Sequence, residues 1–300
     1  LLDEDAHLAI WTTTPWTLCA NLAIAVGPRL TYALVRLAGS LTIVAEERLA
    51  AVCEVTGEEL PEVLGRCVGE SLAGLTYDHP FCDRVAPVLV GNHVTLDDGT
   101  GLVHTAPGHG TDDYLLGLEA GLDIYCPVRG DGTYDDTVPE WLRGLLVWDA
   151  NQKVVEHLQA SGHLVHVCDY KHSYPHDDRS KTPVIFRSTE QWFIAVDEGF
   201  GGGDSLRARS ATAIESDVNF VPAWGRKRMS GMIESRPDWC LSRQRSWGLP
   251  IPAFQLPDGS MVLTAATTRA VAEVFGRVGA DAWFTQPVEV LLAAWDPSTD

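Results

Sequence analysis

Residues 12–21 read TTTPWTLCAN and follow the first predicted strand of the chain. Successive side chains alternate sides in an extended backbone, and Pro15 disfavours helix at Thr14. The segment therefore concentrates several hydroxyl groups and one amide at a junction between a strand and a loop. Such groups can hydrogen-bond a ribose, an ester carbonyl or a water molecule. A Thr-rich strand edge without a function is the alternative interpretation.

Around this stretch the chain alternates short apolar segments with turn residues, which is typical of a sandwich or a barrel. Helical patterns interrupt the strands at 46–55, 111–121 and 151–161. We therefore predict a mixed α/β domain built on a β-barrel over residues 1–165. The predicted strands are 8–12, 22–26, 31–37, 41–45 and 88–96.

Beyond residue 165 the pattern loosens, and residues 166–222 read as a connecting region with a Gly-rich loop at 199–203. A helix is predicted over 224–235, where Arg236 and Pro237 end it. Two short strands, 249–254 and 261–264, flank a Pro-Asp-Gly turn and predict a hairpin.

A second informative stretch, residues 99–114, reads GTGLVHTAPGHGTDDY. Thr111 is placed to cap a helix whose first turn carries Asp112 and Asp113. Acidic residues there often only complement the helix dipole. Two histidines and two aspartates beside glycines also resemble the rim of a pocket, and His104, His109 and Asp113 are equally plausible metal ligands. Spacing does not decide between these interpretations.

Composition narrows the function classes. The net charge of −19 argues against a general nucleic-acid-binding surface, because neutralising phosphates requires Lys and Arg. No apolar run is long enough to span a membrane. The seven cysteines are scattered, which favours reduced thiols in a cytoplasmic protein over a disulfide framework. Because the first residue is Leu1 rather than Met, we expect the chain to begin inside a longer protein.

Both stretches resemble the editing domain that is inserted into isoleucyl-tRNA synthetases. The isoleucine enzymes carry TTTPW where the valine and leucine enzymes carry TTRP without the Trp. The stretch 236–252, RPDWCLSRQRSWGLPIP, resembles the return into the class I catalytic domain, and 172–193 resembles the connecting region. The resemblance covers residues 8 to about 255. It implies an editing domain at 1–165, a connection at 166–222 and part of a Rossmann-like class I catalytic domain at 223–300.

The resemblance also implies an activity. Valine is isoleucine minus one methylene, and one methylene changes binding by about 1–3 kcal/mol, a general figure for which this family is itself the standard example. A second site therefore hydrolyses Val-tRNA(Ile). The implied partners are tRNA(Ile) and its attached amino acid, and we expect a cytoplasmic monomer with no membrane contact. Editing is expected to need no cofactor, whereas the full-length ligase uses ATP and Mg²⁺.

Site residues follow from the same resemblance. Asp113 is expected to hold the α-ammonium of the misattached amino acid, with Asp112 a much weaker candidate. His104 is expected to help exclude isoleucine. A second set is expected to line the pocket, orient the water or bind the substrate: Thr12, Thr13, Thr14, Trp16, Thr17, Asn21 and His109. Trp247 is expected to form one wall of the pocket that holds the isoleucine side chain in the synthetic site.

Two departures from the family matter. The His-x-Gly-His and Lys-Met-Ser-Lys-Ser elements that bind ATP do not occur, and the nearest string, KRMSG at 227–231, is a poor match. We therefore predict that this chain forms no adenylate. Some family members place a Cys-x-x-Cys zinc half-site after the HSYP string, but residues 176–180 contain no thiol. We therefore expect no metal.

Three alternatives remain open at this point. A metal-dependent hydrolase would use His104, His109 and Asp113. A non-catalytic fragment would bind tRNA and release no amino acid. A valine or leucine enzyme is a further alternative, against which Trp16 argues.

Overall fold

The computed structural model describes residues 5–199, 202–243 and 248–298. The chain divides into two compact units, Leu1–Thr189 and Glu190–Asp300. The three-part division at residues 165 and 222 stays a prediction. Among the described residues, no helix is both long and apolar enough to cross a membrane.

The first unit contains eight described strands that form two four-stranded sheets. The strands are β1 Ala6–Leu8, β2 Ala23–Val26, β3 Thr31–Leu37, β4 Ser40–Ala45, β5 Gly65–Val68, β6 Thr76–Asp78, β7 Val85–Val90 and β8 Leu102–Thr105. One sheet has the order β1-β4-β3-β5, and the other has the order β6-β7-β2-β8.

The first sheet is organised by the hairpin of β3 and β4, which pair antiparallel. Ala38 and Gly39 connect them with φ of 49° and 81°. Two positive φ angles in a two-residue loop match the twist of a hairpin, and Gly39 adopts its angle without steric cost. The β1 strand joins the outer edge of β4 in parallel.

The second sheet is built around β2, whose four residues are all buried. The β2 strand pairs in parallel with β7 and antiparallel with β8, and Ile24 lies opposite His104. Buried side chains from both sheets, including Val26 on β2 and Tyr32 on β3, share one hydrophobic core. Packing on that core fixes the position of β8, which carries His104.

The predicted closed barrel is corrected by this arrangement, because both sheets are open among the described strands. The β1 and β5 strands end one sheet, and the β6 and β8 strands end the other. The sequence pattern indicates that the domain has many short strands. Whether their sheet closes into a barrel depends on which edge strands pair with each other, and long-range packing decides that. The predicted strands at 8–12 and 88–96 are also shifted, since β1 ends at Leu8 and β7 ends at Val90.

Three α-helices complete the first unit: α1 Leu49–Thr56, α2 Thr111–Ala120 and α3 Val147–Ser161. A short 3₁₀ helix, Pro15–Ala20, begins with the proline that the sequence places after Thr14. Trp16 and Cys19 from this turn pack on Val154 and other buried residues of α3. The backbone N–H of Trp16 also donates to Oδ1 of Asn151 on α3, at 3.0 Å.

The second unit has short strands and helices. Strands β9 (Phe193–Ile194) and β10 (Trp239–Cys240) pair antiparallel, as do β11 (Phe254–Gln255) and β12 (Met261–Val262) across the predicted turn. The described residues of this unit form no Rossmann-like parallel sheet, because their strands pair only two by two and lack the crossovers that a parallel sheet requires. The elements are β9 Phe193–Ile194, α4 Leu206–Ser216, α5 Gly225–Glu234, β10 Trp239–Cys240, β11 Phe254–Gln255, β12 Met261–Val262, α6 Ala265–Val278, α7 Ala282–Thr285 and α8 Val288–Leu291.

Candidate active site

The three consecutive threonines do not share one environment. Thr12 and Thr14 are partly buried and line a cavity, whereas Thr13 is exposed and is not among the lining residues. The chain bends at Thr13, so that its side chain is directed away from those of its two neighbours. The backbone N–H of Thr14 donates to Oγ1 of Thr12 at 2.9 Å. The hydroxyl proton of Thr12 therefore remains available to a bound molecule.

The 3₁₀ helix after the threonines supplies two further walls of the cavity. Trp16 is 2% exposed and meets the His109 ring edge-on, with 5.0 Å between ring centroids. Thr17 is also buried, and both its backbone N–H and its hydroxyl donate to the carbonyl of Thr14, at 3.1 and 2.8 Å. Pro15 starts this turn, so the chain bends directly behind the threonines.

His104 occupies the β8 wall of the cavity, and both of its ring nitrogens are engaged. Nδ1 lies 2.8 Å from Nδ2 of Asn21, and Nε2 lies 2.9 Å from Oγ1 of Thr17. Burial, with smaller contributions from nearby His79 and His109, lowers the pKa of His104 to about 3. The imidazole is therefore neutral at physiological pH and presents carbon atoms, rather than a free nitrogen, to the cavity.

Asp113 lies in the first turn of α2 and lines the cavity, while its neighbour Asp112 is exposed. Oδ2 of Asp113 accepts a hydrogen bond from the backbone N–H of Ala106 at 2.9 Å. Burial raises the pKa of Asp113, and that hydrogen bond and the charge of His93 act in the opposite direction. Among the described residues, Oδ1 accepts no hydrogen bond, so it is free to receive a cation.

His109 lies beside Trp16, and its Nδ1 is 2.9 Å from the carbonyl oxygen of Phe186. A carbonyl only accepts, so the proton of the neutral ring sits on Nδ1. Burial lowers the pKa of His109. This hydrogen bond connects residue 186 to the 99–114 stretch. Phe186 and Tyr174 both line the cavity.

The cavity lies within the first unit and has a volume of about 200 Å³, which is enough for several water molecules. It brings together seven residues that the sequence singled out. Of the remaining predicted site residues, Asn21 contacts the cavity wall through His104, Thr13 faces away, and Trp247 lies outside the described residues. The full lining is Thr12, Thr14, Trp16, Thr17, His104, Ala106, His109, Asp113, Tyr174 and Phe186.

Sequence reasoning missed four residues around the site. Tyr174 belongs to the HSYP string, and the resemblance of that string to the connecting region could have indicated it. Phe186, His93 and Tyr77 lie in segments that carry no recognisable motif. Tyr77 donates its hydroxyl proton to Oδ1 of Asn21. These residues reach the site only because β6, β7 and the segment after residue 166 fold back onto it.

The donor geometry does not favour a metal centre. The lone pair on Nδ1 of His104 accepts from Asn21, so ligating a metal there would break that hydrogen bond. In the parts of the chain that the structure describes, no three His, Cys, Asp or Glu side chains form a group that could hold a metal ion.

The family described as "tRNA synthetases class I (I, L, M and V)" matches residues 15–296. An isoleucine–tRNA ligase of Desulfovibrio desulfuricans is 47% identical over 93% of this chain and 29% of its own length. That of Geobacter sulfurreducens is 47% identical over 97% of this chain and 31% of its own length. The chain thus spans about three tenths of these curated relatives.

A solved structure of the P. falciparum cytosolic leucyl-tRNA synthetase editing domain is 10% identical, with a TM-score of 0.41 over 52% of this chain and 77% of that one. The family match extends over most of the chain, including both informative stretches except for Thr12, Thr13 and Thr14. The chain belongs to the class I tRNA synthetases of the I, L, M and V group, and it is similar in sequence to isoleucine–tRNA ligases.

Proposed function

We propose that this chain is the hydrolytic editing part of an isoleucine–tRNA ligase and that it cleaves the ester bond of Val-tRNA(Ile). One observation carries the proposal: the half-buried Asp113 and two threonines, Thr12 and Thr14, line the same small cavity. Such a site needs a group that holds an ammonium, a wall that limits side-chain volume and hydroxyls that orient water.

Asp113 is the group that holds the α-ammonium. Its Oδ2 is fixed by the Ala106 N–H, which leaves Oδ1 for the cation. An ammonium is attracted most strongly where the carboxylate is partly desolvated. The same desolvation raises the pKa of Asp113 when no cation is bound, and a bound cation would lower that pKa again.

The hydroxyls of Thr12 and Thr14 orient the water and the ester carbonyl. Thr12 keeps a donor proton, because its oxygen accepts from the Thr14 N–H. An aminoacyl ester is already activated, so correct placement of water and stabilisation of the developing oxyanion account for hydrolysis without a dedicated general base. Water attacks the carbonyl carbon, the ester C–O bond breaks, and the leaving ribose oxygen takes up a proton.

His104 limits the size of the acyl side chain. With both nitrogens engaged, its ring cannot turn toward the cavity without losing two hydrogen bonds. A side chain one methylene larger than valine meets a wall that does not yield. This proposal assigns the discrimination to shape rather than to a hydrogen bond.

ATP and Mg²⁺ belong to amino-acid activation by the full-length ligase. The KRMSG string at 227–231 lies inside α5, whose backbone amides are used mainly by the helix itself. It therefore offers no loop of free amides to cradle a phosphate, and the residues of this string do not fit that group. The substrate partner of this part is tRNA(Ile) carrying an amino acid.

The decisive experiment measures release of valine from Val-tRNA(Ile) by the chain and by two variants. Asp113→Ala should abolish release, whereas Asp112→Ala, which removes an exposed carboxylate one residue away, should retain it. Equal release by wild type and Asp113→Ala contradicts the assignment. Tight tRNA binding without any release indicates the non-catalytic alternative, and loss of activity with a chelator indicates the metal-dependent one.

A further inference from the structure

A series of hydrogen bonds runs from Tyr77 on β6 to the threonine turn and passes behind the cavity. The Tyr77 hydroxyl donates to Oδ1 of Asn21, and Nδ2 of Asn21 donates to Nδ1 of His104 at 2.8 Å. Nε2 of His104 then meets Oγ1 of Thr17, which donates to the carbonyl of Thr14. The single hydroxyl proton of Thr17 goes to that carbonyl, so Nε2 of His104 is the donor to Oγ1 and every group in the series donates to the next.

The direction of these hydrogen bonds is fixed by the backbone carbonyl of Ala23, which can only accept. Nδ2 of Asn21 also donates to the backbone carbonyl of Ala23 at 2.8 Å. Rotating the amide by half a turn would place two oxygens against each other there. The nitrogen of Asn21 must therefore face both Ala23 and His104, so Nδ1 of His104 is the acceptor and the ring proton sits on Nε2.

We propose that Tyr77 is a positioning residue that sets the selectivity of the site for the acyl side chain, although it does not line the cavity. The inference rests on the proposed editing function. Tyr77 holds the Asn21 amide, Asn21 holds the tautomer and plane of the His104 ring, and the ring forms the wall that isoleucine would meet.

The physical reason is the cost of an unsatisfied buried oxygen. Asn21 is 4% exposed, so removing the Tyr77 hydroxyl leaves Oδ1 without a protein donor among the described residues. The amide gains freedom to tilt away from Ala23, and the His104 ring loses its fixed partner at Nδ1. A wall that can tilt excludes the extra methylene of isoleucine less strictly than a fixed one.

The first test compares Tyr77→Phe with Tyr32→Phe. Both variants lose one tyrosine hydroxyl in the same core, but Tyr32 bonds the backbone of residues 27 and 101 and is not part of the series. We expect Tyr77→Phe to reduce the ratio of the Val-tRNA(Ile) to the Ile-tRNA(Ile) hydrolysis rate by about tenfold, mainly through faster isoleucine release. Tyr32→Phe should leave the ratio unchanged. Equal ratios in wild type and Tyr77→Phe overturn the proposal.

The second test reads the ring directly and does not depend on catalysis. Long-range ¹H–¹⁵N spectra of the whole chain should show His104 as the neutral tautomer protonated at Nε2. In Asn21→Asp, which has no proton to donate, the ring should carry a proton on Nδ1. A wild-type ring protonated on Nδ1 overturns the proposal. If wild type releases no valine, the proposed editing function fails, while these spectra still decide whether the hydrogen-bond series exists.

Discussion

The carboxylate of Asp113 accepts a hydrogen bond from the backbone N–H of Ala106, with 2.9 Å between Oδ2 and the nitrogen. This contact joins the first turn of α2 to the end of β8 and holds the carboxylate at the cavity wall. Asp112, one position earlier on the helix, is exposed. A rotation of about 100° per residue separates the two side chains, so only one of them faces the cavity.

Thr14→Val should slow valine release from Val-tRNA(Ile) by about tenfold or more, because an isosteric methyl replaces the hydroxyl that we propose orients the ester. The matched control is Thr13→Val, whose side chain is exposed and should change the rate by less than about twofold. Single-turnover deacylation measures both rates. A larger loss of rate in Thr13→Val than in Thr14→Val would contradict the proposed role of Thr14.

His104→Ala should allow hydrolysis of Ile-tRNA(Ile), since it removes the ring that narrows the cavity. Valine release should persist, because neither the carboxylate of Asp113 nor the threonine hydroxyls are removed. The check is a paired deacylation assay with the two aminoacyl-tRNAs. Continued rejection of isoleucine by this variant would contradict a size limit imposed by His104.

Valine release should decline in acid at a pH above the 3.8 that is usual for an aspartate. The reason is that burial raises the pKa of Asp113, so its carboxylate takes up a proton earlier as pH falls and no longer attracts an ammonium. The acid limb of the kcat/KM profile measures this pKa, with circular dichroism showing that the chain is still folded. An acid limb at or below 3.8 contradicts the prediction.

Folding stability should fall between pH 7 and pH 5, with His79 contributing about 2 kcal/mol of the change. His79 is 7% exposed, and burial lowers its pKa to about 4. Its Nδ1 accepts from the N–H groups of Phe81 and Cys82, so only the neutral ring fits. Because the pKa of His79 is lower in the folded chain, the unfolded chain takes up the proton first as the pH falls. The contribution of His79 to the free energy of unfolding is therefore present above pH 6.5 and is lost as the pH falls toward 4.

Urea unfolding at the two pH values measures this contribution. In His79→Gln the difference between pH 7 and pH 5 should shrink by about 2 kcal/mol, because glutamine does not titrate. His166→Gln replaces an exposed histidine and should leave the difference nearly unchanged. A full-sized difference in His79→Gln would mean that other groups cause the acid sensitivity.

ATP–pyrophosphate exchange with isoleucine should be undetectable for this chain. Neither ATP-binding element occurs in the sequence, and the nearest string, at 227–231, lies within helix α5. The full-length ligase of a relative such as that of Geobacter sulfurreducens provides the positive control. Exchange by this chain would show that its own residues bind ATP after all.

The sequence by itself determined the features that depend on local geometry. Pro15 starts the 3₁₀ turn behind the threonines, and the helix at Thr111–Ala120 carries Asp113 in its first turn. Each of these follows from neighbours within a few positions, where backbone preference and side-chain direction are encoded directly.

Only the tertiary structure decided which distant groups meet. Tyr77 and Asn21 are 56 positions apart, and Asn21 and His104 are 83 apart, yet their hydrogen bonds fix the ring at the cavity wall. The same is true of the two open sheets where a barrel was predicted. Strand pairing and burial across such separations result from the packing of the whole core, and no local period in the sequence records them.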